Sequence, residues 1–114
     1  MSYKILITSK FEKELKRLSK KSSSLKNEYR EFLSLVSENP ELGTFIGNNC
    51  YKIRLAIASK GKGKRGGARI ITYVYHSGET VYLLTIYDKS EKEDLTEKEL
   101  NKIISQLDLG EENE

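Results

Sequence analysis

The stretch ARIITYVYHSGETVYLLTIY, residues 68–87, decides the fold of this chain. Two runs rich in β-branched and aromatic residues, Ala68–Tyr75 and Val81–Tyr87, flank the short polar segment HSGE. This pattern is typical of two antiparallel strands joined by a tight turn. We therefore expect a β-hairpin at the centre of the domain.

The segment before this hairpin predicts a third strand. Tyr51–Leu55 alternates apolar with basic side chains, so that its apolar side chains would face a core while Lys52 and Arg54 face the other way. Arg69, at the start of the next strand, would lie beside them. The sequence thus predicts a three-stranded meander with a cationic open face.

The N-terminal third predicts a first strand and two helices. The strand is YKILIT, residues 3–8, and Ser9 with Glu12 forms a capping-box signal for a first helix with an apolar stripe. The serines at 22–24 would cap a second helix, which ends at Pro40. These two helices form an αα-hairpin.

A second capping box, Thr96 with Glu99, starts a C-terminal helix. The predicted order is β-α-α-β-β-β-α, an α+β fold in which a helical hairpin covers one face of a twisted antiparallel sheet and a C-terminal helix closes the domain. We expect one domain over residues 1–109 and an acidic, disordered tail at 110–114.

Length and composition exclude several classes of protein. A chain of 114 residues with 37% hydrophobic and 32% charged residues suits one soluble domain. No apolar run reaches the roughly 18 residues of a membrane span, and no secretory signal is evident, so we expect a cytoplasmic protein. Cys50 is the single cysteine, which excludes an internal disulfide and a cysteine-based metal site. We interpret it as a small filler at a strand entrance.

Charge is distributed unevenly along the chain. Residues 1–49 carry nine cations and six anions, residues 50–78 carry seven cations and no anion, and residues 79–114 carry four cations and eleven anions. A concentrated cationic surface attracts polyanions, of which nucleic acid is the commonest in a cytoplasm. An acidic protein partner remains an alternative.

The glycine-rich loop SKGKGKRGG, residues 59–67, lacks the P-loop pattern and opens no helix, so it predicts neither a nucleotide cradle nor a dinucleotide site. A solvated loop is the alternative to an RNA-binding one. His76, the single histidine, lies in the expected turn and is not a catalytic candidate. The acids around Asp94, at positions 91–99, are interpreted as solvated or dipole-favoured side chains and not as a metal site.

With these residues in view, YKIRLAIASKGKGKRGGARIITYVY (residues 51–75) and YLLTIYDKSEKEDLT (residues 82–96) resemble the RelE/HigB toxins of bacterial type II toxin–antitoxin modules, in their HigB-like branch. The resemblance covers most of the chain from Tyr51 to Leu100. It implies the RelE-like fold and an mRNA interferase, a small endoribonuclease that works without a metal or cofactor. Such an enzyme cuts mRNA in the ribosomal A site, inhibits translation and is held inactive by a cognate antitoxin. For the HigB-like branch this antitoxin is expected to be a helix-turn-helix protein.

The resemblance also implies two sets of site residues. The positions that match the family's chemistry are Lys52, Arg54, Arg69, Tyr87 and Lys89. The basic loop adds RNA- and ribosome-binding side chains, namely Lys60, Lys62, Lys64 and Arg65. Ser90 and Thr96 stand where better-known members have an arginine and a tyrosine.

Physical chemistry is compatible with this assignment, because RNA carries its own nucleophile in the 2′-hydroxyl. Arg69 and Arg54 suit stabilisation of the extra negative charge in the transition state. Lys52 or Lys89, crowded by cations, could transfer protons, with Tyr87 as a further donor. The choice of general base and general acid stays open at this stage.

Two alternative functions remain. ParE-type toxins share the fold but poison DNA gyrase and lack the ribonuclease residues, against which the cationic strand and loop argue. A non-catalytic RNA- or ribosome-binding module would explain the composition without any chemistry.

Overall fold

The structure, a computed structural model, describes residues 2–60 and 66–107, and for Lys60 the backbone alone. Within this part the helices and strands follow the order β-α-α-β-β-β-β-α. Their bounds are β1 Lys4–Ile7, α1 Ser9–Lys21, α2 Leu25–Glu38, β2 Thr44–Gly47, β3 Cys50–Leu55, β4 Ala68–Tyr75, β5 Thr80–Asp88 and α3 Glu97–Ser105. The strands form one sheet in the order β1-β5-β4-β3-β2. The predicted α+β fold is confirmed.

The sheet differs from the prediction in one strand and one pairing. Thr44–Gly47 forms β2, which the sequence did not predict and which pairs antiparallel with β3 through the two-residue turn Asn48–Asn49. Both asparagines have positive φ, 53° and 61°, as the twist of a tight hairpin requires. β1 pairs with β5 in parallel, so the sheet is mixed rather than wholly antiparallel.

The helix starts also need correction. The side chain of Thr8, and not that of Ser9, caps α1 by accepting a hydrogen bond from the N–H of Phe11. Ser24 is the N-cap residue of α2, but its hydroxyl contacts the side chains of Glu28 and Ser59 and makes no cap hydrogen bond. The capping box of α3 is present as predicted.

The sheet separates two apolar clusters. The larger lies under α1 and α2 and includes Phe11, Phe32 and Ile70, all at most 2% exposed. The smaller lies on the other face beneath α3 and includes Cys50, which is buried at the start of β3, and Leu100. Burying each such large side chain stabilises the fold by roughly 1.5–3 kcal/mol, so the helical hairpin contributes most of the apolar stabilisation.

Gly67 ends the glycine-rich loop in a place where no larger residue fits. A Cβ atom built on it would overlap the backbone carbonyl oxygen of Leu55 on the neighbouring strand. The carbonyl of Gly67 also accepts a hydrogen bond of 3.0 Å from the N–H of Lys89. This glycine therefore lets the backbones of β3, β4 and the end of β5 approach closely.

We predict that Gly67→Ala destabilises the protein, because the added methyl group must push β3 and β4 apart next to Leu55. Overpacking of this kind costs about 1–3 kcal/mol, which urea unfolding measures. Gly78→Ala serves as the comparison, since its Cβ would meet only the ring of Tyr75, which can rotate. Equal stability of the two variants would contradict the assigned close approach.

Candidate functional site

Three strands bring the predicted site residues into one row. The register pairs Arg54 of β3 with Arg69 of β4, and Arg69 in turn with Tyr87 of β5. Directly opposed side chains lie about 5 Å apart at Cβ and point to the same face of the sheet. The predicted placement of Arg54 beside Arg69 is confirmed, and Lys52 lies two residues before Arg54 in β3, on the same face.

A β-bulge in β5 places Tyr87 in this row. Ile71 pairs with Thr85 and Thr72 pairs with Leu83, so one extra residue, Leu84, interrupts the regular pairing. The extra residue reverses the alternation of side chains, and Tyr87 joins the apolar cluster beneath α3. Without the bulge, Tyr87 would share the face of Leu83 and lie under the helical hairpin.

Glu14 of α1 satisfies the polar groups that the bulge leaves without strand partners. Its carboxylate accepts hydrogen bonds from the hydroxyl of Thr85, at 2.7 Å, and from the backbone N–H of Ile86, at 3.1 Å. A buried N–H without an acceptor is costly, so this carboxylate stabilises the irregular strand. The helix α1 thereby helps to set the orientation of Tyr87.

The two arginines of the row differ in exposure. Arg54 is exposed, whereas Arg69 is only 5% exposed and donates to the carbonyl of Ala68 at 3.2 Å. Opposed like charges on neighbouring strands are unfavourable, and an anion bound between them relieves the repulsion. The row is therefore suited to a phosphate, which Arg54 can reach directly while Arg69 lies deeper.

Asp94 contacts two of the predicted site residues, Lys52 and Tyr87, although nothing in the sequence had indicated it as a site residue. Its Oδ1 accepts hydrogen bonds from Lys52 Nζ at 3.2 Å, from the hydroxyl of Tyr87 at 3.3 Å and from the N–H of Leu95 at 2.8 Å. The interpretation of Asp94 as a merely solvated acid is wrong for this reason. Only its position seven residues after Tyr87 could have suggested the contact.

These contacts change the acidity of Tyr87 and of Asp94. Burial raises the pKa of the Tyr87 hydroxyl to about 12, and the charge and hydrogen bond of Asp94 act in the same direction against an opposing effect of Arg69. Partial desolvation would raise the pKa of Asp94, but the N–H of Leu95, Lys52 and Tyr87 outweigh it, so that this pKa is lowered from 3.8. At neutral pH, Tyr87 is protonated and Asp94 is charged.

Lys89 contacts the backbone of the residue that precedes Asp94. It follows the end of β5, and its ammonium donates to the carbonyl of Glu93 at 3.0 Å. Of the predicted loop cations, the side chain of Lys60 and all of Lys62, Lys64 and Arg65 lie outside the described residues. His76 lies at the other end of β4, near Tyr3 and Glu41.

Ion pairs fix the segment 88–96, which links β5 to α3. Glu91 contacts Arg17 and Lys21 of α1, and Lys92 forms an ion pair of 2.6 Å with Glu99 of α3. The interpretation of Glu91 as a solvated acid missed its ion pairs, whereas Glu99 lies in the first turn of α3 as predicted. In the described ranges, no group of three or more His, Cys, Asp or Glu side chains could hold a metal ion. No described helix is long and apolar enough to cross a membrane.

The fold is that of toxins from bacterial toxin–antitoxin pairs. A free mutant of the E. coli toxin RelE, with two arginines changed to alanine, superimposes with a TM-score of 0.64 at 19% identity and covers 94% of this chain and 99% of its own. The toxin in the intact E. coli RelBE complex gives 0.59 at 21% identity, covering 76% and 96%. The complex RelBE2 from Mycobacterium tuberculosis gives 0.57 at 15% identity, covering 77% and 99%.

The model of one protein family, the RelE toxin of the RelE/RelB toxin–antitoxin system, matches residues 3–107. The chain belongs to this RelE toxin family. At identities this low, the solved structures establish the fold alone.

We predict that Glu91→Gln lowers the free energy of unfolding at neutral pH and makes that free energy less dependent on pH in the acidic range. Hydrogen bonds from Arg17 and Lys21 lower the pKa of Glu91 from 4.5 to about 2. The folded-state pKa lies below the unfolded one, so this stabilisation is complete above about pH 4.5 and is lost as the pH falls towards 2. For a pair so open to solvent and salt, the loss at neutral pH stays below about 1 kcal/mol.

Urea unfolding at neutral and acidic pH measures this effect, with Glu93→Gln as the matched control. Glu93 is exposed, and no described side chain forms an ion pair with it. The wild type and the control should lose more stability on acidification than Glu91→Gln does. Identical acid dependence in all three proteins would contradict the assignment.

Proposed function

We propose that this protein is an mRNA interferase, the toxin of a type II toxin–antitoxin module that cleaves mRNA in the ribosomal A site. The observation that carries the proposal is the row formed by Arg54, Arg69 and Tyr87, with Lys52 on the same face. A row with two permanent positive charges and a phenol suits a phosphodiester better than it suits a neutral substrate. Membership of the RelE toxin family supports the same function.

The proposed reaction is a transesterification within RNA. The 2′-oxygen attacks the adjacent phosphorus while a base removes its proton, and the bond from phosphorus to the 5′-oxygen breaks as an acid protonates that oxygen. A 2′,3′-cyclic phosphate and a free 5′-hydroxyl result. Arg54 and Arg69 stabilise the negative charge that develops on the phosphoryl oxygens, the task that a metal ion performs in other nucleases. The proposed mechanism therefore requires neither a metal nor a cofactor.

The proton transfers divide between the remaining side chains. Tyr87 is protonated at neutral pH and is proposed to donate its proton to the leaving 5′-oxygen, which as an alkoxide is a stronger base than a phenolate. The raised pKa of about 12 makes Tyr87 a weaker acid than an exposed tyrosine. Lys52, beside it, orients the phosphate as an ammonium ion-paired with Asp94, which leaves Lys89 as the candidate for the base.

The proposal includes the partners and the location. Solved relatives are described as toxin–antitoxin complexes, which supports a cognate antitoxin for this chain as well, and we propose a helix-turn-helix protein. The ribosome and its mRNA are the proposed targets, in the cytoplasm. The cations Lys60, Lys62, Lys64 and Arg65 are proposed to hold the RNA backbone.

We predict that Arg69→Ala and Arg54→Ala each lower the rate of mRNA cleavage by about 10²-fold, the cost of removing one group that stabilises the transition state. Primer extension on mRNA from induced cells and purified ribosome complexes measures cleavage. Since Arg69 is buried, its variant must first be shown by circular dichroism to fold. Arg30→Ala, on the exposed surface of α2, is the control and should cleave like the wild type.

Full toxicity of both variants at equal expression would refute the arginine assignment. A wild-type protein that arrests growth without cutting mRNA, and that inhibits supercoiling by gyrase, would instead support the ParE-type alternative. Ribosome binding without growth arrest would favour the non-catalytic module.

We also predict that changing Lys60, Lys62 and Lys64 together to glutamine weakens binding to RNA or ribosomes and flattens its salt dependence. For every phosphate that a lysine no longer neutralises, the slope of log K against log salt should decrease by about 0.7–0.9. The matched control changes Lys13, Lys16 and Lys20 of α1, which removes an equal charge elsewhere on the surface. If the loop variant keeps the wild-type slope, the loop is not the electrostatic anchor.

A further inference from the structure

One carboxylate oxygen of Asp94 accepts hydrogen bonds from side chains of two strands of the site. Its Oδ1 accepts the hydrogen bonds of Lys52, which belongs to β3, and of Tyr87, which belongs to β5. Lys52 forms an ion pair with this oxygen at 3.2 Å, although the side chain of Asp94 is 62% exposed and that of Lys52 only 25%. The acid is therefore at the mouth of the site while the groups it contacts lie deeper.

Asp94 is not needed to start the following helix. The hydroxyl of Thr96 accepts from the N–H of Glu99, and the Glu99 carboxylate accepts from the N–H of Thr96, which completes the capping box without Asp94. Asp94 is also a weaker base than an ordinary carboxylate, because the donors on Oδ1 stabilise its charged form and lower its pKa. Neither a cap nor a base explains its contacts.

The segment that carries Asp94 is held in place on both sides. Before it, the Glu91 carboxylate contacts α1, and the backbone N–H groups of Glu91 and Lys92 donate to the carbonyl of Asp88. Lys92, before Asp94, and Thr96, after it, both contact Glu99 at the start of α3. Because this segment is already restrained, the carboxylate of Asp94 loses little conformational entropy when it binds a flexible side chain.

We propose that Asp94 is a positioning residue, which holds the ammonium group of Lys52 and the hydroxyl of Tyr87 side by side where the substrate phosphate binds. This inference rests on the ribonuclease function proposed above. Lys52 has a flexible side chain and two arginines nearby, so repulsion alone would swing its ammonium away from the row. The carboxylate counteracts that repulsion and keeps the ammonium of Lys52 next to the hydroxyl of Tyr87.

Asp94→Asn tests the proposal, because asparagine keeps an acceptor for the N–H of Leu95 but removes the charge that attracts Lys52. We expect kcat for cleavage of ribosome-bound mRNA to fall about tenfold, the scale of a modest misplacement of reacting groups. KM should stay the same or fall, since a negative charge near the RNA is removed. Glu93→Gln removes the same charge one residue away and should change kcat by less than about twofold.

A coupling experiment separates positioning from an independent role. In a Lys52→Met, Tyr87→Phe background, Asp94→Asn should cause no further decrease in kcat, because its two partners are already gone. A full further tenfold decrease in that background would overturn the proposal. So would an equal decrease in Glu93→Gln, which would indicate a general effect of surface charge.

A second readout does not depend on activity. In the isolated protein, ¹⁵N relaxation of the Lys52 ammonium should show an ordered group in the wild type and in Glu93→Gln, and a mobile one in Asp94→Asn. Equal order in all three proteins would overturn the inference. If the wild type cleaves no mRNA, the proposed function fails, and the relaxation data alone decide whether Asp94 holds Lys52.

Discussion

The register of β4 between β3 and β5 is the constraint on which the site depends. Backbone hydrogen bonds to β3 and to β5 fix the register of β4, so that Arg54 and Tyr87 lie opposite Arg69. A one-residue slip would send each of these side chains to the other face, into the apolar cluster under the helical hairpin. The bulge at Leu84 is such a slip within a single strand. It is stabilised by Glu14, so a carboxylate on the first helix helps to determine the chemistry of the last strand.

Opposite charges from distant parts of the chain stabilise this arrangement. The middle third of the sequence is cationic and the last third is acidic. Two acids of the last third form ion pairs with cations from earlier in the chain, Asp94 with Lys52 of the site and Glu91 with Lys21 of α1. Neutralisation is incomplete, because Arg54 has no carboxylate within ion-pair distance among the described residues. The protein thus retains an attraction for polyanions while its flanking segment stays in place.

The periodicity of the sequence was sufficient for most of the fold. Apolar stripes predicted α1, α2 and α3, alternation predicted β3, and runs of apolar, β-branched or aromatic residues predicted β1, β4 and β5, because each pattern is local in the sequence. β2 was missed because four residues between glycine and asparagine give no readable alternation. The Thr8 cap was missed because Ser9 followed by Glu12 matches the same local signal one residue later. The parallel pairing of β1 with β5 joins the two ends of the chain, and no local pattern encodes it.

The sequence by itself indicated a cationic strand and loop through residue type and spacing, and its resemblance to the RelE/HigB toxins implied the candidate site residues Lys52, Arg54, Arg69, Tyr87 and Lys89. Only the tertiary structure decided how they meet. It buried Arg69, left Arg54 exposed, turned Tyr87 to the same face through a bulge, and added Asp94. The physical reason is that burial, register shifts and ion pairs depend on contacts between residues far apart in the chain, whereas periodicity records only which face each residue prefers.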